Sequence, residues 1–532
     1  MSDGDGGAGM AQGLALQQAV IAFLSEPAAY GLPGNAPIAR QETHVSHVFL
    51  AGDRAFKLKK QVRFPYLDFS TLDARKEACD EELEINRRTA PEIYLRVAAV
   101  TDQGSGVFAL DGDGPVAEWL VEMRRFPDGA LFTHLGDAGA LNRRLMEDLA
   151  DRIQAFHADA EIDRERGGSA GTRAIIDNDD SSFRAAPGNL FNADDIDALT
   201  DGSRLLQEGL SGLLDARREG GRVRHCHGDL HLGNICMFDD RPTLFDAIEF
   251  SPAFSRIDVL YDLAFLLMDL DLRGHRRLAS IVLNRYLDRA PLDAGDLDGL
   301  ALMPLFLSMR AAIRAHVGAF QAGTLADKAE ADRRAGRARE YFFRALEYLR
   351  PPPPVLIAVG GLSGSGKSRL AREIAPQLGA APGARVVRTD VMRKRLAGID
   401  LFDRLPPESY TPEASRRTYD ACFDEIRRAL AIGRSVVFDA VSLRPGERLA
   451  VEALADELSV PFLGLWADAP LAVRLERVGG RTANVSDAGA EVAQAQEDLD
   501  LGELTWTVID SSGARRNTVA GALAVIRDQG LA

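Results

Sequence analysis

Cysteine is scarce in this chain: four residues in 532, at positions 79, 226, 236 and 422, with no CxxC pair among them. So sparse a set excludes a disulfide framework and fits a reducing, cytoplasmic compartment. Positive charge is also in deficit. Lys and Arg number 63 against 79 Asp and Glu, a formal net charge of −16, which repels a polyanion on average and disfavours nucleic acid as a partner. Long apolar runs are missing as well. The nearest, "DVLYDLAFLLMDL", is broken by acids and falls short of the roughly 18 to 20 residues that cross a bilayer, so no membrane partner is expected. The N-terminal "MSDGDGGAGMAQG" lacks both the basic region and the apolar core of a signal peptide and reads as a flexible tail. What remains is 46% hydrophobic and 27% charged, the composition of a globular protein, and at about 100 to 200 residues per domain the length predicts two or three domains.

The clearest boundary is "RPPPPV", because four successive prolines cannot continue a helix and favour a stiff extended connector. Residues 1–25 are expected to form a tail and first helix, 26–349 one domain, 350–354 the linker and 355–532 a second domain. Before the linker, "HVSHVFLAGDRAFKLKK" (44–60) predicts two strands joined at Gly52-Asp53, and 70–88 predicts a helix opened by Ser70 or Thr71. Helices follow at about 140–160 and 195–215, then a second hairpin at 234–250 and a long amphipathic helix at 325–349. The first domain therefore has a small β-rich lobe ahead of a larger helical one, an α+β arrangement. After the linker, the short apolar runs "VLIAVGG", "ARVVRTD", "SVVFDA", "PFLGLWA" and "LTWTVID" alternate with helical stretches, the rhythm of an α/β domain with a parallel sheet.

"GLSGSGKS" (361–368) matches GxxxxGK[ST] between an apolar strand and a helix. Gly361, Gly364 and Gly366 let backbone N–H groups turn around phosphate oxygens, Lys367 reaches the β and γ phosphates, and the Ser368 hydroxyl suits Mg2+. Asp439 ends a later apolar strand, where an acid supports the metal or merely caps the next turn. Asp390 follows strand 384–388; it is placed to act as a base on an acceptor hydroxyl, with Arg393 holding the substrate and Arg395 nearby, or else it is an N-cap. In "RLERVGGRTANVSDA", Arg477 and Arg481 flank two glycines as a lid over phosphates would, or are plain exposed arginines. With "RTDVMRKRLAG" and "VVFDA", these motifs make 355–532 resemble the small P-loop kinases around gluconate kinase, polynucleotide kinase and zeta toxin. The resemblance implies ATP and Mg2+ and a hydroxyl acceptor on a small metabolite, a nucleotide sugar or a polynucleotide end.

"HCHGDLHLGN" (225–234) is a second device. Asp229 and Asn234 stand five apart, the H-x-D-x-x-x-x-N spacing that puts an aspartate beside an acceptor hydroxyl and an asparagine on a metal. The strand-turn-strand "ICMFDDRPTLFDAIEF" then delivers Asp246 where a kinase D-F-G holds its metal-binding acid. Lys57, on a strand of the small lobe, and Glu82, on the following helix, occupy the places of the phosphate-binding lysine and its ion-pair partner; Lys59 rivals Lys57, and Glu81 and Glu84 rival Glu82. Residues 40–320 resemble the aminoglycoside phosphotransferase family through "HGDLHLGNI", "LFDAIEF" and "DVLYDLAFL". That resemblance implies Asp229 as base, Asn234 and Asp246 as Mg2+ ligands, Lys57 on the nucleotide phosphates and Asp262 as a buried brace, unless Asp262 is an ordinary helix-start acid. Two features depart from it: no GxGxxG precedes Lys57, where "THVSHVF" would cover the phosphates, and D-A-I-E replaces D-F-G, adding Glu249 near the metal. The whole chain resembles bacterial fusions of an aminoglycoside phosphotransferase-like and an ATP-binding domain.

The expected activity is ATP-dependent phosphoryl transfer at two sites to small-molecule hydroxylated acceptors. Two other readings stay open, a regulator in which one domain senses nucleotide and a polynucleotide-end kinase in the C-terminal half.

Overall fold

Alternation along "SHVFLA" and "RAFKLK" sends successive side chains to opposite faces of a sheet. The computed structural model describes residues 5–64, 67–479, 485–487, 489–497 and 499–531. It forms two compact units, one of residues 1–145, 155–167 and 221–262, the other of 146–154, 168–220 and 263–532.

In the first unit a six-stranded antiparallel sheet is built from β1 (Ile38–Glu42), β2 (Ser46–Ala51) and β3 (Arg54–Lys59), with the short pair β4 (Arg63–Phe64) and β5 (Leu67–Asp68) beside it, then β6 (Tyr94–Asp102), β7 (Phe108–Leu110) and β8 (Val116–Arg124), in the order β1-β2-β3-β8-β6-β7. The β2–β3 turn falls at Gly52, whose φ of +59° suits a residue without a Cβ. Phe49, Phe56 and Leu58 pack on Val20 and Leu24 of the helix Asp5–Leu24, which starts inside the glycine-rich stretch that reads as a tail. Leu50 and Ala55 take the other face, against Cys79 of the helix Leu72–Arg87. Thr71 opens that helix, its hydroxyl accepting the Ala74 N–H at 3.1 Å, and its buried residues 75, 78, 79, 82, 85 and 86 form one stripe. Further on, β9 (Val223–His225) precedes the loop 226–234, β10 (Ile235–Phe238) and β11 (Arg241–Leu244) form the expected hairpin, and β12 (Arg256–Asp258) pairs back with β9.

In the second unit, the helices Gly168–Ala185, Ala193–Gly209, Arg276–Arg289, Met303–Thr324 and Lys328–Tyr348 precede the proline run. The stretch 298–324 is long and apolar enough by length and composition to cross a membrane, which the broken apolar runs did not predict; 72% of its most apolar window is buried inside the protein, as in a core helix. Beyond the prolines, β13 (Leu356–Gly360), β14 (Arg385–Arg388), β15 (Val436–Asp439), β16 (Phe462–Asp468) and β17 (Thr507–Asp510) make an all-parallel sheet in the order β14-β15-β13-β16-β17. Ile357 and Val359 face one apolar core and Leu356 and Ala358 the other, so the central strand is apolar on both sides and reads as an unbroken run. All four cysteines are buried, and none forms a disulfide.

Candidate active sites

Positions 55, 57 and 59 share one face of β3, so Lys57 and Lys59 both leave the sheet toward the Leu72–Arg87 helix. There Glu82 is 0% exposed, while Glu81 and Glu84 face solvent. Lys57 Nζ lies 2.8 Å from Glu82 Oε1 and 2.6 Å from Asp246 Oδ1. Lys59 Nζ lies 2.5 Å from Glu82 Oε2 and also pairs with Glu249. Of the two, Lys57 alone joins Glu82 to Asp246. Burial pushes the Lys57 ammonium down, but Asp246, Glu82 and Glu249 together reverse this and raise its pKa well above the usual value. Burial likewise pushes the Glu82 carboxyl up, and the two lysines overcome it, lowering its pKa to about 2. The cluster is held as charged pairs.

The loop 226–234 is braced from below. Asp262, at the start of the helix Val259–Leu272, accepts the Gly228 N–H on Oδ1 at 2.8 Å and the His227 N–H on Oδ2 at 3.2 Å, with His157 Nε2 3.0 Å from Oδ2. The buried ligand-type atoms of His157, Cys226 and Asp262 come within 4.8 Å of one another. Asp262 and His157 are the hydrogen-bonded support for the loop, while Cys226 Sγ turns to the Ile257 carbonyl at 3.4 Å. His227 Nε2 donates to the Phe245 carbonyl at 2.9 Å, leaving Nδ1 for the Asp229 N–H at 3.4 Å, and burial lowers the His227 pKa, consistent with a neutral ring.

Above this brace, Asn234 Nδ2 donates to Asp229 Oδ2 at 2.9 Å and to the Asp229 carbonyl at 3.0 Å. His231 Nε2 is 3.4 Å from the same carboxylate oxygen. The Phe245 N–H bonds the Asn234 carbonyl at 3.0 Å, bringing the chain into Asp246, whose φ is +62° and whose N–H meets the Tyr94 hydroxyl at 3.1 Å. With its amino group on Asp229, Asn234 turns its amide oxygen elsewhere, and the Asp246 carboxylate is 42% exposed. Both side chains offer oxygen, the donor that a hard cation such as Mg2+ takes. The β1–β2 turn at 43–45, in "THVSHVF", is closed by the Ser46 N–H on Thr43 Oγ1 at 3.0 Å. Glu249, proposed by sequence near the metal, is turned to Lys59 instead.

The second site begins where β13 ends. Gly361, Gly364 and Gly366 have φ of +141°, +87° and +93°. A Cβ on Gly361 would stand 2.5 Å from the Ala467 carbonyl oxygen, and one on Gly364 2.5 Å from that of Arg474. Lys367 and Ser368 then open the helix Lys367–Ile374, so the loop delivers both to a helix N-terminus. Outside the loop, the Ser511 hydroxyl meets the Ser365 carbonyl at 2.6 Å, and Arg477 reaches the Ser365 and Ser511 carbonyls at 3.4 and 2.7 Å. Arg477 thus props the loop backbone. Arg481 lies outside the described residues.

Pairing of β13 with β15 sets Asp439 beside Val359. Its Oδ2 accepts from Arg388 Nε at 3.1 Å, while Oδ1 is buried without a hydrogen-bond partner among the described residues, a fit for a metal-bound water. Asp390 sits half-buried in the first turn of the helix Thr389–Ala397. Arg393, on the same helix, donates to the Ser409 carbonyl at 2.6 Å and stacks 5.1 Å from the Tyr410 ring, whose hydroxyl donates to Asp487 at 2.7 Å. Arg395 departs from the sheet edge and turns to Glu425 at 3.2 Å and the Ala290 carbonyl at 3.0 Å. Sequence reasoning passed over three supports. Arg388 had a signal, standing at a strand end beside Asp390. Arg474, 1% exposed and bonded to the Ala469 and Ala493 carbonyls, opens the "RLERVGGRTANVSDA" stretch, whereas Gln496, which accepts the Ser363 N–H at 2.7 Å, had no signal.

Fold and sites together define a two-domain fusion, a protein-kinase-like domain followed by a P-loop domain. Over 501 residues, 92% of this chain and 95% of the other, the chain is 30% identical to Uncharacterized protein Rv2004c of Mycobacterium tuberculosis, and it belongs to that protein's family. Uncharacterized protein Mb2027c of Mycobacterium bovis matches to the same extent. The AAA_33 family model, described as an AAA domain, matches residues 356–499. Among solved structures, a choline/ethanolamine kinase family protein from Mesorhizobium loti is 15% identical, with 63% of this chain and 99% of that one covered at a TM-score of 0.35. A gluconokinase from Sinorhizobium meliloti 1021 is 23% identical, covering 33% of this chain and 95% of its own at a TM-score of 0.23.

Proposed function

We propose that this protein is an ATP- and Mg2+-dependent phosphotransferase with two active sites, one in 26–349 and one in 355–532, each moving the γ-phosphoryl group to a hydroxyl of a small molecule. The observation that supports it most is the first site's assembly, in which Lys57 ties Glu82 to Asp246 while Asn234 holds Asp229. Mg2+, when bound, would neutralise phosphate charge. The chain's own contribution is positioning: Lys57 on the phosphates, Asn234 and Asp246 offering oxygen to the metal, and Asp229 accepting the acceptor's proton. The Asp229 side chain is 37% exposed, so an acceptor can reach it. In the second site the loop 361–368 holds phosphates with Lys367, Ser368 and Asp439 serve the metal, and Asp390 is the base.

A small acceptor is favoured over a polynucleotide end. Arg388, Arg393, Lys394 and Arg395, the basic residues around Asp390, are engaged by Asp439, the Ser409 carbonyl, Asp487 and Glu425, rather than lined up for a phosphate backbone. The test is a metabolite-library screen with ATP, read by mass spectrometry, on the parent, Asp229→Asn and Lys367→Ala. Each variant should lose one set of phosphorylated products by at least about 100-fold and keep the other. Nucleotide binding with no phosphorylated product from either site would overturn the reading in favour of a nucleotide-sensing regulator.

A further inference from the structure

The strand that leads to Asp390 lies at the edge of its sheet. β14 has four residues and is bonded on one side only, to β15. Its outer side presents the Ala384 carbonyl and the Val386 N–H, the acceptor and donor that a further strand would satisfy. Neither is left open. Asn284, from the helix Arg276–Arg289, accepts the Val386 N–H on Oδ1 at 2.7 Å and donates from Nδ2 to the Ala384 carbonyl at 3.2 Å. One side-chain amide thus supplies the pair of bonds that a neighbouring peptide group would make.

Arg385, between the two bonded residues, fastens the same junction. It is 2% exposed, and its guanidinium reaches the Asn284 carbonyl at 3.2 Å, Asp288 at 2.7 Å and Glu425 at 2.8 Å. Three residues further along β14, Arg388 holds Asp439 at 3.1 Å, and Asp390 follows. The Asn284 helix precedes the proline run in sequence but is packed on the edge of the sheet that follows it.

We propose that Asn284 is a positioning residue for the P-loop site, fixing the register and height of β14 and, through it, Asp390 and the Arg388–Asp439 pair. This rests on the phosphotransferase reading of that site. Nucleotide grip should be spared, because the loop 361–368 grows from β13, two strands inward. The effect belongs to turnover.

The experiment uses the full chain with Asp229→Asn as parent, so that ATP turnover reports the Lys367-dependent site. In Asn284→Ala, kcat should fall about tenfold with KM for ATP unchanged, the size expected when reacting groups drift by a fraction of an ångström, and hydrogen exchange of the Val386 amide should quicken about tenfold. Asn284→Asp keeps an acceptor for Val386 but no donor for Ala384; it should restore slow exchange at Val386 and part of kcat, and it serves as the test if the alanine variant does not fold. Arg428→Ala, which removes the exposed pair with Asp298, should change neither. Parental kcat in Asn284→Ala alongside faster Val386 exchange would reduce Asn284 to an edge cover and overturn the proposal, as would unchanged exchange. A parent with no Lys367-dependent turnover would instead overturn the phosphotransferase reading of the site.

Discussion

Lys57 and Lys59 divide one buried carboxylate between them but differ in what else they touch. Removing Lys57 leaves Glu82 its second cation, so the lesion falls on Asp246 and the nucleotide side. Removing Lys59 leaves Glu249, 6% exposed at its side chain, without its partner. Lys57→Met should therefore cut first-site turnover by about 100-fold or more while costing about 1 kcal/mol of stability, whereas Lys59→Met should cost about 3 to 5 kcal/mol, the usual penalty for stranding a buried charge. Urea midpoints together with turnover in a Lys367→Ala background separate the two. Equal stability losses would show that Glu249 finds another partner. Sequence could not choose between these lysines because positions two apart on a strand share a face; only the arrival of Asp246, 189 residues along, distinguishes them.

At the scale of elements, the loop 361–368 depends on a close approach of two backbones. Gly364→Ala would place a Cβ 2.5 Å from the Arg474 carbonyl at a φ of +87°, a strain of about 1 to 3 kcal/mol. Because that carbonyl is backbone and cannot swing aside, the loop must move. In the Asp229→Asn parent, where turnover reports the second site, Gly364→Ala should raise the KM for ATP by at least about tenfold; an unchanged KM would mean that the helix Leu471–Gly479 yields instead. This loop was legible because its glycines lie between an apolar run and a helix, as were the inner strands β13, β15 and β16, whose buried faces leave apolar runs. The helix Leu72–Arg87 was legible for another reason, a stripe of spaced residues behind a capping threonine. The helix Gly168–Ala185 was not. "GGSAGTRAIIDNDDSS" is rich in glycine, serine and aspartate, which favour turns, and part of what holds it is distant in sequence: Asp179 meets His316 at 3.1 Å, and Phe183 stacks edge-on with Phe342 at 5.1 Å. Gln496 escaped notice on the same ground, since its role exists only once the chain has brought it to Ser363.

At the scale of the molecule, the two motifs fall in separate compact units, Asp229 in one and Lys367 in the other. The four sulfhydryls are divided the same way, with Cys79, Cys226 and Cys236 in the first unit and Cys422 in the second, all buried. Burial pushes Cys79 and Cys236 up to about 12 and raises Cys422 well above the ordinary thiol value, so the reactive thiolate is withheld along with access. A maleimide added to folded protein should find almost nothing to alkylate, and the slow labelling that does occur should count moments when an interior comes apart. Peptide mapping of the adducts would then time the breathing of each half on its own clock. Prompt, stoichiometric modification at any of the four positions would contradict the sealed interiors described above.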